Sequence, residues 1–164
     1  MFRGQLIEGA KFVQAFPPVD TTGAGQDGVW VSMKNYSKLA VVLQTGAWAG
    51  GTSAVTLEQA TDASGTGAKA LAFTQYLKAY DTDDTPDDAG AIVSVASNTY
   101  TIGDNANVQV IEVKAGDLDV NNDFAFVRVR TATPGANADL IAGLYILYDG
   151  NFSGKPTTLP SVLS

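Results

Sequence analysis

The chain has 164 residues, 45% apolar and 16% charged, with a formal net charge of -7, no histidine and no cysteine. That length suits one domain whose core needs no metal or disulfide, and the missing residues exclude disulfides, thiolate or imidazole metal ligands and the commonest catalytic base and nucleophile. The acidity opposes binding to a phosphate backbone, so a non-enzymatic protein with no cofactor, no metal and no nucleic-acid partner is expected.

In chain order, "MFRGQLIEGAKFVQ" contains no continuous apolar core, so no signal peptide is expected. No later run approaches the length of a membrane span, and the expectation is a soluble protein made in the cytoplasm, with no membrane partner. "FPPVDTTGAGQDG" (16–28) is rich in Pro, Gly and Thr and reads as extended. From there the period is two. "GVWVSMK" (28–34) begins the series, and "KLAVVLQ" (38–44) is an apolar run suited to a buried strand. "SAVTLEQA" (53–60) sends Val55 and Leu57 to one face and Thr56 and Glu58 to the other.

"KALAFTQYLKAY" (69–80) alternates Leu71, Phe73, Gln75 and Leu77, although its Ala, Leu and Lys content also suits a helix. Its position after a Gly-rich turn that itself follows a strand favours one more strand. "AIVSV" and "NTYTI" are shorter candidates meeting at Asn98, and "NVQVIEV" (107–113), "DFAFVRVR" (123–130) and "ADLIAGLYILY" (138–148) complete the set. Gly, Pro, Asp and Asn clusters separate them, with no amphipathic helix between. The pattern predicts an all-β fold, an antiparallel β-sandwich or jelly-roll-like single domain over residues 28–149. Residues 1–27 would form an N-terminal arm or edge strand, and 150–164 a C-terminal extended tail.

Several groups carry candidate chemistry. "SGTGAKAL" has the Gly and Lys69 of a phosphate loop but the wrong spacing and no following Ser or Thr, so these glycines read as corners of a β-protein. Trp48 stands in a turn among Gly46, Gly50 and Gly51, as a wedge under the loop, a subunit contact or a sugar-stacking platform. The other aromatics, Trp30, Tyr36, Tyr76, Tyr145 and Tyr148, sit in alternating strands, where core packing is the ordinary use. Asp117, Asp119 and Asn121 have the first spacings of a calcium loop, but its sixth-position Gly is missing and Arg128 replaces the terminal Glu. "DTDDTPDDAG" (81–90) is more acidic, with a Pro inside; both clusters read as solvated turns. No carboxylate pair for glycoside hydrolysis is singled out by the sequence. Arg128 and Arg130 alternate with Val127 and Val129 along one strand face, either as a contact for an acidic partner or as a solvated face. The ends carry isolated apolar anchors, Phe2, Phe12, Phe16 and Phe152 among them, beside stiffening prolines, which suits docking onto a neighbour.

"KNYSKLAVVLQTGAWAGGTSAVTLEQATDASGTGAKAL" (34–71) and "VIEVKAGDLDVNNDFAFVRVRTATPGANADLIAGLYIL" (110–147) resemble small virion proteins of tailed bacteriophages, of the capsid decoration (cement) type. The resemblance spans roughly residues 28–148 and contains no catalytic signature. It implies a structural role in the virion, no enzymatic activity, the major capsid protein as partner, and self-association, with a trimer favoured over a dimer. The net charge suits the capsid exterior better than the DNA-facing interior. The alternative is a carbohydrate- or receptor-binding module of a tail or fibre.

Overall fold

The computed structural model describes residues 6–80, 90–103, 107–150 and 163. A single helical turn, α1 (Leu6–Gly9), precedes β1 (Lys11–Asp20), β2 (Gln26–Asp27), β3 (Val31–Ser32), β4 (Tyr36–Trp48) and β5 (Ser53–Ala60). Then come β6 (Lys69–Ala70), β7 (Gln75–Tyr80), β8 (Ala91–Ser94), β9 (Thr99–Ile102) and β10 (Val108–Lys114). Two 3-10 turns, Ala115–Asp117 and Val120–Asn122, lead to β11 (Phe126–Thr131) and β12 (Asp139–Gly150).

The strands form two antiparallel sheets, and the fold is an all-β sandwich. Sheet A has the order β1-β12-β4-β10-β7-β8; sheet B has the order β2-β11-β5-β6, with β3 also on β11 and β9 also on β5. The period of two decides what fills the space between them. Leu39, Val41 and Leu43 of β4, Ile111 and Val113 of β10, and Ile141, Tyr145 and Leu147 of β12 point inward from sheet A. Val55 and Leu57 of β5 and Val127 and Val129 of β11 meet them from sheet B. One hydrogen bond ties the layers directly: the Val129 N–H donates to the Tyr145 hydroxyl at 2.8 Å. That hydroxyl enters where the chain opposite β11 is broken at residues 28–30. A Cβ on Gly28 would lie 2.3 Å from it, so only glycine fits.

The structure departs from the sequence reading in two places. The strand expected over 28–34 is reduced to β3, because Tyr145 occupies the position where a continuous strand would pass. The strand expected over 69–80 is two short ones in different sheets. Residues 71–74 cross between the layers, the Leu71 N–H bonding the Leu57 carbonyl at 2.9 Å, with Leu71 and Phe73 buried in the core. Their alternation comes from plugging the interior at a crossing. Of the two readings of residues 1–27, arm or edge strand, β1 takes the second: it is an edge strand of sheet A paired along β12, with register shifts on both sides of Phe16, the second spanning Pro17 and Pro18.

Phe16 packs its ring where a Cβ on Gly143 would be 2.8 Å away, and Ala15 is buried beside it. The segment before residue 28 is therefore part of the packed body. A chain of residues 28–149 loses Ala10, Ala15 and Phe16 and leaves the β12 edge unpaired. Such a chain is expected to lose its cooperative thermal transition in circular dichroism, whereas the full chain keeps it, with or without EDTA.

Candidate interaction surfaces

The outward faces of the two sheets differ. In sheet A, cross-strand register aligns Leu144, Val42, Val110, Leu77 and Ile92 in one row across β12, β4, β10, β7 and β8. All five lie on the side opposite the core residues Leu43 and Ile111. Phe12, Ile146 and Ala40 form a second row beside it. Phe12 is 43% exposed, Leu140 45% and Ile92 69%, the rest half-buried by their neighbours. Polar groups border the rows: Gln14 pairs with Leu144 and Glu112 with Ala40, Gln44 follows Val42 on the same face of β4, Lys38 pairs with Asp149 at 3.5 Å, and the Tyr148 hydroxyl donates to Glu112.

Sheet B turns a polar face outward. Thr56 and Glu58 of β5 and Arg128 and Arg130 of β11 share it with Thr99 of β9. Arg128 donates to Glu58 at 2.8 Å and lies 3.3 Å from Asp27; Arg130 donates to Asp27 at 2.6 Å and to Glu58 at 3.0 Å. Two guanidiniums and two carboxylates thus close a neutral quartet. Arg128 also lies over the Trp30 ring, 4.7 Å from its centroid. Asp27 and then Glu58 hold the Arg130 guanidinium above its ordinary range. With their charges balanced inside the chain, these arginines are a solvated, self-satisfied face.

The Gly-rich corners serve packing. Trp48 ends β4 and is buried, its indole N–H donating to the Gly51 carbonyl at 3.2 Å. Gly51, at φ 78, lies so close to Pro134 that a Cβ would sit 2.2 Å from its carbonyl oxygen. The fully buried Asp139 locks this corner: one carboxylate oxygen accepts the Ala49 and Gly50 N–H groups at 2.5 and 3.3 Å. Its carbonyl accepts from the Thr21 N–H and hydroxyl, both at 2.9 Å. Asp139 thereby joins the ends of β1 and β4 to the start of β12.

In the second corner the Asp62 carboxylate accepts the Ser64 and Thr66 N–H groups at 2.9 and 3.0 Å. Hydrogen bonds from Thr66 hold Asp62 below the usual carboxylate range, so a negative charge occupies the position a phosphate would need. Lys69 is spent on Asp119 and on the Phe124 ring.

The remaining sequence candidates fall as follows. Phe16 belongs to the core, so it cannot serve as a docking anchor; Phe12 lies on the outer face of sheet A. Phe2 and Phe152 lie outside the described residues, as does the acidic run 81–89. Asp117 accepts the Lys114 N–H at 2.8 Å, and Asp119 is held below its usual range by Lys69 and Asn122; among the described residues no cluster of three acidic side chains gathers as a metal site. Trp30, Trp48, Tyr36, Tyr100 and Tyr145 are buried, and Tyr76 stacks on Tyr100 at 3.8 Å, so none of these rings offers a sugar an open face. An open depression of about 390 Å³ between Met33, Leu118, Val120 and Phe124 contains one carboxylate, Asp123, and hence no glycosidase pair.

The sequence reading missed the outer face of sheet A. Its signal was present in "AVVL" and "LYIL", runs apolar at both odd and even positions, which suit strands covered on both faces. Among known proteins, no family model matches the chain and no curated protein is similar to it.

Trp48→Ala removes a buried wedge and the hydrogen bond to Gly51. It is expected to cost about 3–5 kcal/mol of stability, read as a lower urea midpoint. Loss of a bound glycan without loss of stability would contradict this placement.

Proposed function

We propose that the chain is a non-enzymatic structural virion protein, a capsid decoration protein that seats the outer face of sheet A on a shell of major capsid protein. The observation that carries the reading is the apolar row from Leu144 to Ile92. A sheet face left in water ordinarily alternates with polar residues, and a contiguous apolar face marks a contact with another protein. The opposite face, with its closed ionic quartet, has the chemistry of a surface that stays wet.

The mechanism is area repeated over many sites. The sandwich presents an apolar platform, and each copy clamps neighbouring shell subunits by burying that platform against them. Preorganisation helps, because a sheet face loses little freedom when it docks. The exterior position follows from the net charge of -7, which packaged DNA would repel. The absence of histidine and cysteine from the sequence fits a role without chemistry.

Two measurements test the reading. Quantitative mass spectrometry of purified particles is expected to find hundreds of copies; a handful would assign the chain to a tail or portal instead. Val42→Lys with Leu144→Lys, placed on the outer face, is expected to leave the melting temperature within a few degrees and weaken co-sedimentation with shells about tenfold or more. Unchanged binding by this folded variant would exclude the face as the contact.

A further inference from the structure

We propose that two copies of the chain pair edge to edge through β8, in antiparallel register, to make one continuous sheet from their two A sheets. The inference concerns a different surface from the shell contact and holds whether or not that reading does.

The sheet edges are unequally protected. The β1 edge of sheet A carries Pro17 and Pro18 and two register shifts, devices that block a further strand. In sheet B, β2, β3 and β6 are two residues long. β9 has four residues, but its outward side chains are Thr99 and Thr101. β8 is also four residues, Ala91–Ser94, with no charge, no Pro and no bulge in its pairing to β7. It carries Ile92, 69% exposed, the end of the apolar row.

The main chain of β8 is ready to pair. The Val95 N–H donates to the Thr74 carbonyl at 2.7 Å. Because successive residues of a strand direct their N–H and C=O groups to opposite sides, Val93 and Ala91 face β7. Ile92 and Ser94 aim theirs away from the sheet. Among the described residues, β7 is the only strand paired to β8.

Charge sets the orientation. The sequence places Asp81, Asp83, Asp84, Asp87 and Asp88 directly before β8. Parallel pairing would bring the two acidic runs together. Antiparallel pairing puts the two β8 N-termini, which those runs precede in sequence, at opposite ends of the joined edge. The result is a two-fold, self-complementary contact that closes as a dimer; a trimer would need a different surface.

Sedimentation equilibrium is expected to show a mass rising with concentration from one chain to two. Amide exchange at Ile92 and Ser94 is expected to slow over the same range, with Val93 unchanged. Ser94→Pro deletes an outward N–H and leaves the β7 ladder intact; it should weaken the dimer about tenfold or more at an unchanged melting temperature. Ile92→Lys keeps every main-chain group, adds repulsion across the two-fold, and serves if the proline variant fails to fold. A chain that stays monomeric at millimolar concentration overturns the proposal. So does a dimer that survives Ile92→Lys, or one lost only on Val42→Lys. No shell enters these measurements, so a dimer without shell binding would sink the earlier reading and leave this one standing.

Discussion

Side chains alternate across a strand, so a central strand can dispose of its apolar residues only through its two faces. β4 and β12 are adjacent interior strands of sheet A, and over 39–43 and 144–147 both are apolar at odd and even positions alike. Leu39, Val41 and Leu43 build the core; Ala40 and Val42 cannot join them without moving every neighbour to the wrong side. The outer face of sheet A is therefore a necessary product of the same strands that make the core. Fully burying one aliphatic side chain contributes on the order of 1.5–3 kcal/mol. A row of five, four of them already half-buried, supplies a smaller sum that still counts against the several kcal/mol lost on association.

Beneath this platform the two sheets are tied together. The Tyr145 hydroxyl takes the place of a strand carbonyl for Val129, so sheet B is completed by a side chain from sheet A. Burial pushes the Tyr145 phenol well up, against the lowering effect of the Val129 N–H, and the hydroxyl stays neutral. At the other end Asp139 binds three segments through one buried residue. Removing a partner from such a site strands a buried polar group, which costs more than the bond itself contributes. These ties are long-range in sequence, Asp139 to Thr21 and Tyr145 to Val129, and they fix the layers without a disulfide.

Much of the fold was legible because period two is a local property. β5 falls where Val55 and Leu57 alternate with Thr56 and Glu58, and the cores of β4, β10, β11 and β12 fall inside their apolar runs. The failures have tertiary causes. Nothing in "GVWVSMK" reveals that Tyr145, more than a hundred residues later, will interrupt it. Leu71 and Phe73 alternate like a strand, yet they serve a crossing between layers. Of the site candidates, Phe12 lies on the apolar face, whereas Phe16 and Trp48 are internal and the two arginines neutralise Asp27 and Glu58. The outer face itself was readable in "AVVL", since apolar residues at both parities cannot all face one core.

An exposed apolar edge beside an apolar face is ordinarily an aggregation hazard, and the sequence limits that hazard in two ways. β8 is short, so pairing stops after a few hydrogen bonds. The five aspartates preceding it act as a gatekeeper, penalising any stacking that brings their runs together. A two-fold antiparallel partner satisfies the edge and leaves no further free edge on β8, while β1 at the far side is blocked by its prolines. Growth through sheet A is thus hindered at both edges. The net charge of -7 makes separate copies repel one another at long range.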